Sequence, residues 1–305
     1  MASHAPEASK LFELELPTLN VQSPNWQRWV TGGISVALIV AIVIRMRSFG
    51  LAESFASLPK SGAFWIAFAA YYFALPASEW LIFRKLWFLP AKGFAALLRK
   101  LVSNEILLGY SGEAYFYGWA RQHANLSAAP FGAIKDVSIL SALTGNAITL
   151  VMLAIAWPLV GSLVPHVHAR AIVESSGLMI SMSLIILAFR NKLFSLSHRE
   201  LWMVFKVHVG RLVATTLLLG FLWHFALPEV PLVWLVLLAT LQLLVSRLPF
   251  VPSKDLLFAN LAVFLIGNDG KIAIVVSMIA TALVMTHLLL GGALFLAEAI
   301  RKGVK

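Results

Sequence analysis

Two groups of polar side chains stand inside otherwise apolar stretches, and both have chemistry to offer. The first is NEILLGYSGEAYFYGWARQH (104–123). Asn104, Glu105, Glu113 and Arg121 there supply an amide, two carboxylates and a guanidinium. A carboxylate among apolar residues can accept hydrogen bonds from a polar headgroup, pair with a cation, or take up a proton. Gly109, Gly112 and Gly118 interrupt the same stretch, and helix interiors disfavour glycine by about 1 kcal/mol relative to alanine. The second group is SRLPFVPSKDLLFAN (246–260). Pro249 and Pro252 stop a helix, and Ser253 or Asp255 can cap the next one. The start of that helix carries positive partial charge. With Arg247 and Lys254 beside it, the segment suits an anionic group such as a phosphate. A cytoplasmic turn rich in basic residues accounts for the same pattern equally well.

The elements around these groups are membrane spans. Of the 305 residues, 60% are hydrophobic and 12% charged, with mean hydropathy +0.84. A soluble domain carries about 25% charged residues. A hydrocarbon core needs about 20 apolar residues per span, and stretches 29–45, 62–83, 137–160, 171–189, 207–227, 231–246 and 272–299 qualify. A shorter run, 256–267, brings the expected total to about eight. The predicted fold class is therefore all-α, a polytopic helix bundle. It divides into an N-terminal segment 1–28, one transmembrane domain 29–300, and a basic tail 301–305. Residues 29–160 and 171–300 would be two halves; after a linking helix at 171–189, the second repeats the pair of spans, broken segment and further span of the first. Broken segments at matching places in two halves point to a transporter's binding site.

An ionised side chain at mid-bilayer costs at least ~2.5–3.5 kcal/mol. Glu105 and Glu113 must therefore face protein or water. Either 93–131 is a broken helix lining a polar cavity, or it is an amphipathic helix at the cytoplasmic surface, with Tyr110, Tyr115, Tyr117 and Trp119 at headgroup level. Both remain open at this point. The net charge of +10 punctuates the ends of apolar runs, which fits membrane topology and anionic lipid and not nucleic acid. Of the 24 lysines and arginines, nineteen fall on one side of the expected spans and five on the other. That bias places both termini in the cytoplasm. The N-terminal segment lacks the pattern of a cleaved signal. SHRE (197–200) reads as a capping box opening a surface helix that turns into the membrane as 207–227.

Other polar residues carry weaker signals. Cysteine is absent, so disulfides and cysteine-based metal sites are excluded. His166 and His168 lack a recognisable third ligand, and no metal or cofactor is expected. Glu79 is either a buried site residue or the cytoplasmic end of its span. Asp136 beside Lys135 reads as a cap, and Glu298 as a partner for Arg301 or Lys302. His287 and Asn146 lie inside spans, where interhelical hydrogen bonding explains them as well as function does. No catalytic nucleophile, base or nucleotide-binding loop stands out.

The order of features resembles the lysylphosphatidylglycerol synthase/flippase transmembrane family. That family pairs a Trp/Arg-rich end of the second span with a later Asn-x-x-x-Pro-x-Arg-x-Gly-Glu-x-x-Arg segment, and then with Leu-Pro-x-x-Pro-Gly-Gly-Leu-Gly. The counterparts are EWLIFRKL (79–86), Asn104 to Gly112-Glu113, and Leu248-Pro249-Phe250-Val251-Pro252. Tyr110, Ser111 and Phe116 replace the arginines, and SKDL (253–256) replaces the glycine-rich run. The resemblance implies a bacterial inner-membrane translocator of a polar-headed or phosphate-bearing lipid or lipid-linked sugar, without the family's soluble aminoacyl-transfer domain. The expected binding residues are Asn104, Glu105, Glu113, Arg121, Arg247, Lys254 and Asp255. The expected partners are anionic membrane lipids and other membrane proteins. A lipid-modifying transferase and a non-catalytic scaffold subunit are the competing expectations.

Overall fold

The computed structural model describes residues 58–106, 111–123, 130–160, 166–247, 258, 261–262 and 271–303. All regular structure among them is helical. In chain order the helices are α1 (Gly62–Trp87), α2 (Lys92–Ile106), α3 (Ser111–His123), α4 (Pro130–Val160), α5 (His166–Ala188), α6 (Arg190–Leu193), α7 (His198–Ala226), α8 (Leu232–Arg247) and α9 (Lys271–Gly303). Five of these, α1, α4, α5, α7 and α9, hold stretches long and apolar enough to cross a membrane; α8 is a shorter apolar helix. The expected span 29–45, the run 256–267 as a whole and hence the count of eight lie outside the described residues. So does the second broken segment with Lys254 and Asp255, and with it the test of a two-half repeat.

Local chemistry sets the helix ends. α1 stops where Phe88 turns left-handed (φ 52°) and donates its backbone N–H to the Arg84 carbonyl at 3.0 Å; Pro90 then cannot continue the helix. α7 starts with the capping box the sequence predicts. The Ser197 hydroxyl accepts from the Glu200 N–H, and the Glu200 carboxylate accepts from the Ser197 N–H at 2.8 Å. From there α7 is one continuous helix of 29 residues. At 1.5 Å per residue it is about 43 Å long, against a hydrocarbon core of about 30 Å. It continues unbroken from the capping box into the predicted span, where a surface helix turning into the membrane was expected.

The broken segment 93–131 resolves into α2, α3 and the start of α4. Neither α2 nor α3 is a candidate span. Both bury apolar residues against α1 and α4: Leu97 of α2 and Phe116 of α3 pack with Ile82, Phe83 and Val137. A second core joins α1, α7, α8 and α9 around Phe64, Trp223, Leu238 and Met278. Along α1 the two cores are separated by Leu75 to Glu79, and along α7 by the turns around Arg211. The polar residues occupy that gap. Val233, Leu289 and Ile155 lie on the outer surface and are largely exposed, as lipid-facing side chains would be.

Candidate functional site

A cavity of about 290 Å³ lies between the two cores, lined by residues of α1, α2, α3, α4, α7 and α8. It is built from the start of α3 outward. The first N–H groups of a helix have no partner within it. The Asn104 side chain of α2 supplies one, accepting from the Gly112 N–H at 2.7 Å, and the Ser111 hydroxyl donates back to the Ser103 carbonyl at 2.9 Å. Only glycine allows this approach. A Cβ on Gly112 would stand 2.1 Å from the Lys100 backbone oxygen. The next residue, Glu113, lies in the first turn of α3, where the helix dipole favours a carboxylate.

Glu113 thereby meets Lys100. The Lys100 ammonium is 3.3 Å from a Glu113 carboxylate oxygen and donates to Glu79 of α1 at 2.5 Å. The Lys100 side chain is only 4% exposed. Burial alone would lower its pKa, but the two carboxylates outweigh this and hold it above the ordinary value. The other Glu113 oxygen, Oε2, is buried without a hydrogen-bond partner among the described residues. The unit is a cation bridging two acids, with one acceptor left over in the cavity.

The opposite wall is basic. Arg211 of α7 donates from Nη2 to the Ser141 hydroxyl of α4 at 3.1 Å. Arg247, the last residue of α8, lies against Gly145 of α4, where a Cβ would stand 2.1 Å from Nη1. Ser141 and Gly145 are four residues apart on one helix, hence about 6 Å along its axis. The two guanidiniums sit side by side on α4. The Nε of each is buried and has no hydrogen-bond partner among the described residues. Among the described lining residues, Lys100, Arg211 and Arg247 against Glu79 and Glu113 leave one formal positive charge.

Of the residues expected from sequence, Asn104, Glu113 and Arg247 come together here. Glu105 is exposed and does not line the cavity. Arg121 is also exposed, and its guanidinium lies 5.8 Å from the Tyr117 ring centre. Glu79 is buried in the cavity wall. Lys100, Arg211, Ser138 and Ser141 complete the polar lining among the described residues and were not singled out from sequence. A signal existed for Arg211, because the predicted span 207–227 contains it, and intramembrane charge marks function by default.

Other polar residues have local duties. Asp136 of α4 accepts the N–H groups of Ser195 and Leu196, at 2.6 and 2.8 Å, and pairs with Lys135. It anchors the segment that leads into α7. His208 bonds the Val137 carbonyl at 3.2 Å. His287 bonds the Tyr72 hydroxyl at 2.8 Å, the interhelical alternative of the two left open from sequence. The side chains of His166, His168 and Glu298 lie outside those described. No group of three metal-ligating side chains occurs among the described residues. No family model, no curated protein and no solved structure matches the chain.

Proposed function

We propose that this is a flippase-like translocator that passes the phosphate-bearing headgroup of a membrane lipid, or of a lipid-linked sugar, through the cavity between α1, α2, α3, α4, α7 and α8. The observation that carries this reading is the pair of guanidiniums on α4 with unused, buried Nε groups. Arginine presents a planar fork matched to phosphate oxygens. A buried guanidinium without an anion costs free energy in a membrane, and a bound phosphate offsets that cost. The cavity's single excess positive charge balances one phosphodiester.

The Glu113 Oε2 acceptor lies across the same cavity and suits a donor on the headgroup, a hydroxyl or an ammonium. The lipid's hydrocarbon would stay outside the polar cavity while the headgroup crosses. The resemblance to the lysylphosphatidylglycerol synthase/flippase family and the basic-residue bias point the same way, to a bacterial inner membrane with both termini cytoplasmic.

The test is transbilayer movement of headgroup-labelled phosphatidylglycerol in vesicles holding the purified protein. Wild type should accelerate movement over empty vesicles. Glu113→Gln, which keeps size but loses charge, should abolish most of the acceleration while inserting normally. Full activity of Glu113→Gln and of Arg211→Gln would rule this cavity out as the route.

A further inference from the structure

The helices that hold the two arginines also form an apolar groove of about 190 Å³. It begins where the charged residues end. On α4, Ser141 and Gly145 meet the guanidiniums, and Ile148 and Met152 follow within two turns in the groove. On α7, Arg211 is succeeded by Val213, Thr216 and Leu217. α8 runs the opposite way. Gly220 of α7 abuts Val236 of α8, while Arg211 and Arg247 share the cavity at the other end. The residues preceding Arg247, namely Leu243, Thr240 and Val236, therefore line the groove beside those following Arg211.

The two threonines present methyl groups there. Their hydroxyls are used within their own helices, Thr216 donating to the Leu212 carbonyl and Thr240 to the Val236 carbonyl, each at 2.9 Å. The rim faces outward, with Val213 51% and Leu217 42% exposed. Charge and hydrocarbon surfaces thus meet end to end on three shared helices.

We infer that the ligand is bound as an intact lipid, with its phosphate on Arg211 and Arg247 and one acyl chain laid in the groove between α4, α7 and α8. This rests on the phosphate reading of the cavity and adds what the cavity alone leaves open. A water-soluble phosphate ester has no use for the groove. A glycerophospholipid fills both surfaces at once, because its chain leaves the headgroup in one direction. Entry is then lateral, from the bilayer, past Val213 and Leu217.

The experiment is equilibrium binding to the purified protein in nanodiscs of zwitterionic lipid. The probes are glycerophosphoglycerol and monoacyl phosphatidylglycerols of increasing chain length, each below its micelle concentration. Partitioning of each probe into empty nanodiscs of the same lipid is subtracted, because the chain passes from one hydrocarbon surrounding to another; the remaining protein-specific affinity should rise with chain length until the groove is full. Thr240→Trp and Val213→Trp place an indole in the groove. The longer probes should then lose that excess affinity, with glycerophosphoglycerol unchanged. Val233→Trp, on the outer surface, is the control. Affinity independent of chain length, or tryptophan variants equal to wild type, would overturn the chain assignment and leave the phosphate site standing. Arg211→Gln binding every probe as well as wild type would instead overturn the phosphate reading itself.

Discussion

Replacing Lys100 with methionine removes the one cation between two buried carboxylates. The two partners stand 2.5 and 3.3 Å away. At the longer distance, the Coulomb attraction is about 5 kcal/mol at an effective dielectric of ~20. Desolvation of the charges cancels part of that. Breaking a buried pair on one side nevertheless costs ~3–5 kcal/mol, because Glu79 and Glu113 lose their direct partner and only the more distant arginines remain. The melting temperature should fall on the order of 10 °C for a chain of this size. Glu79→Gln alone should cost less, since Glu113 still neutralises Lys100. The double variant Lys100→Met/Glu79→Gln should recover part of the loss, giving a coupling above about 1 kcal/mol in the cycle. Thermal unfolding in one detergent, for all four proteins, reads this directly. A Lys100→Met melting temperature within about 2 °C of wild type, with additive single effects, would refute the buried triad.

Four further outcomes follow from other contacts. The raised Lys100 pKa means that the folded state holds its proton more tightly than the unfolded one. The triad's contribution is thus fully present below the ordinary value of 10.5 and lost as pH rises through the folded value, so wild type should lose stability above about pH 10 more steeply than Lys100→Met. Gly145→Ala meets only the flexible end of Arg247; stability should change by less than about 1 kcal/mol, while phosphate-lipid binding weakens because the guanidinium is displaced. Gly112→Ala meets backbone at 2.1 Å and should cost ~1–3 kcal/mol or more, read as a lower melting temperature. Ser197→Ala removes the capping box and should cost about 1 kcal/mol, with no effect on lipid binding.

The features that follow from periodicity were legible in the sequence. The span expected at 62–83 is α1, that at 231–246 is α8, and Ser197 with Glu200 caps α7 as the spacing required. The early start of α4 and the unbroken run of α7 into its span were less legible. Lys135 and Asp136, and His198 to Lys206, break the apolar run without breaking the helix; Lys135 and Asp136 find tertiary partners, and Glu200 completes the capping box. Glu113 stood out because acids in apolar stretches need a reason. Lys100 did not, since a basic residue flanking an apolar run is explained equally well by topology. Its pairing with Glu79 spans 21 residues, and that of Arg211 with Ser141 spans 70. Such contacts depend on how helices are brought together, which the spacing along one helix does not encode.

The central claim is that Arg211 and Arg247 form a site for a phosphate-bearing lipid. Native mass spectrometry of the protein released from membranes rich in phosphatidylglycerol addresses it most directly. Wild type should retain one bound anionic lipid at activation energies that strip zwitterionic lipid, and Arg211→Gln/Arg247→Gln should retain none. Equal retention by both proteins, or none by wild type, would contradict the account.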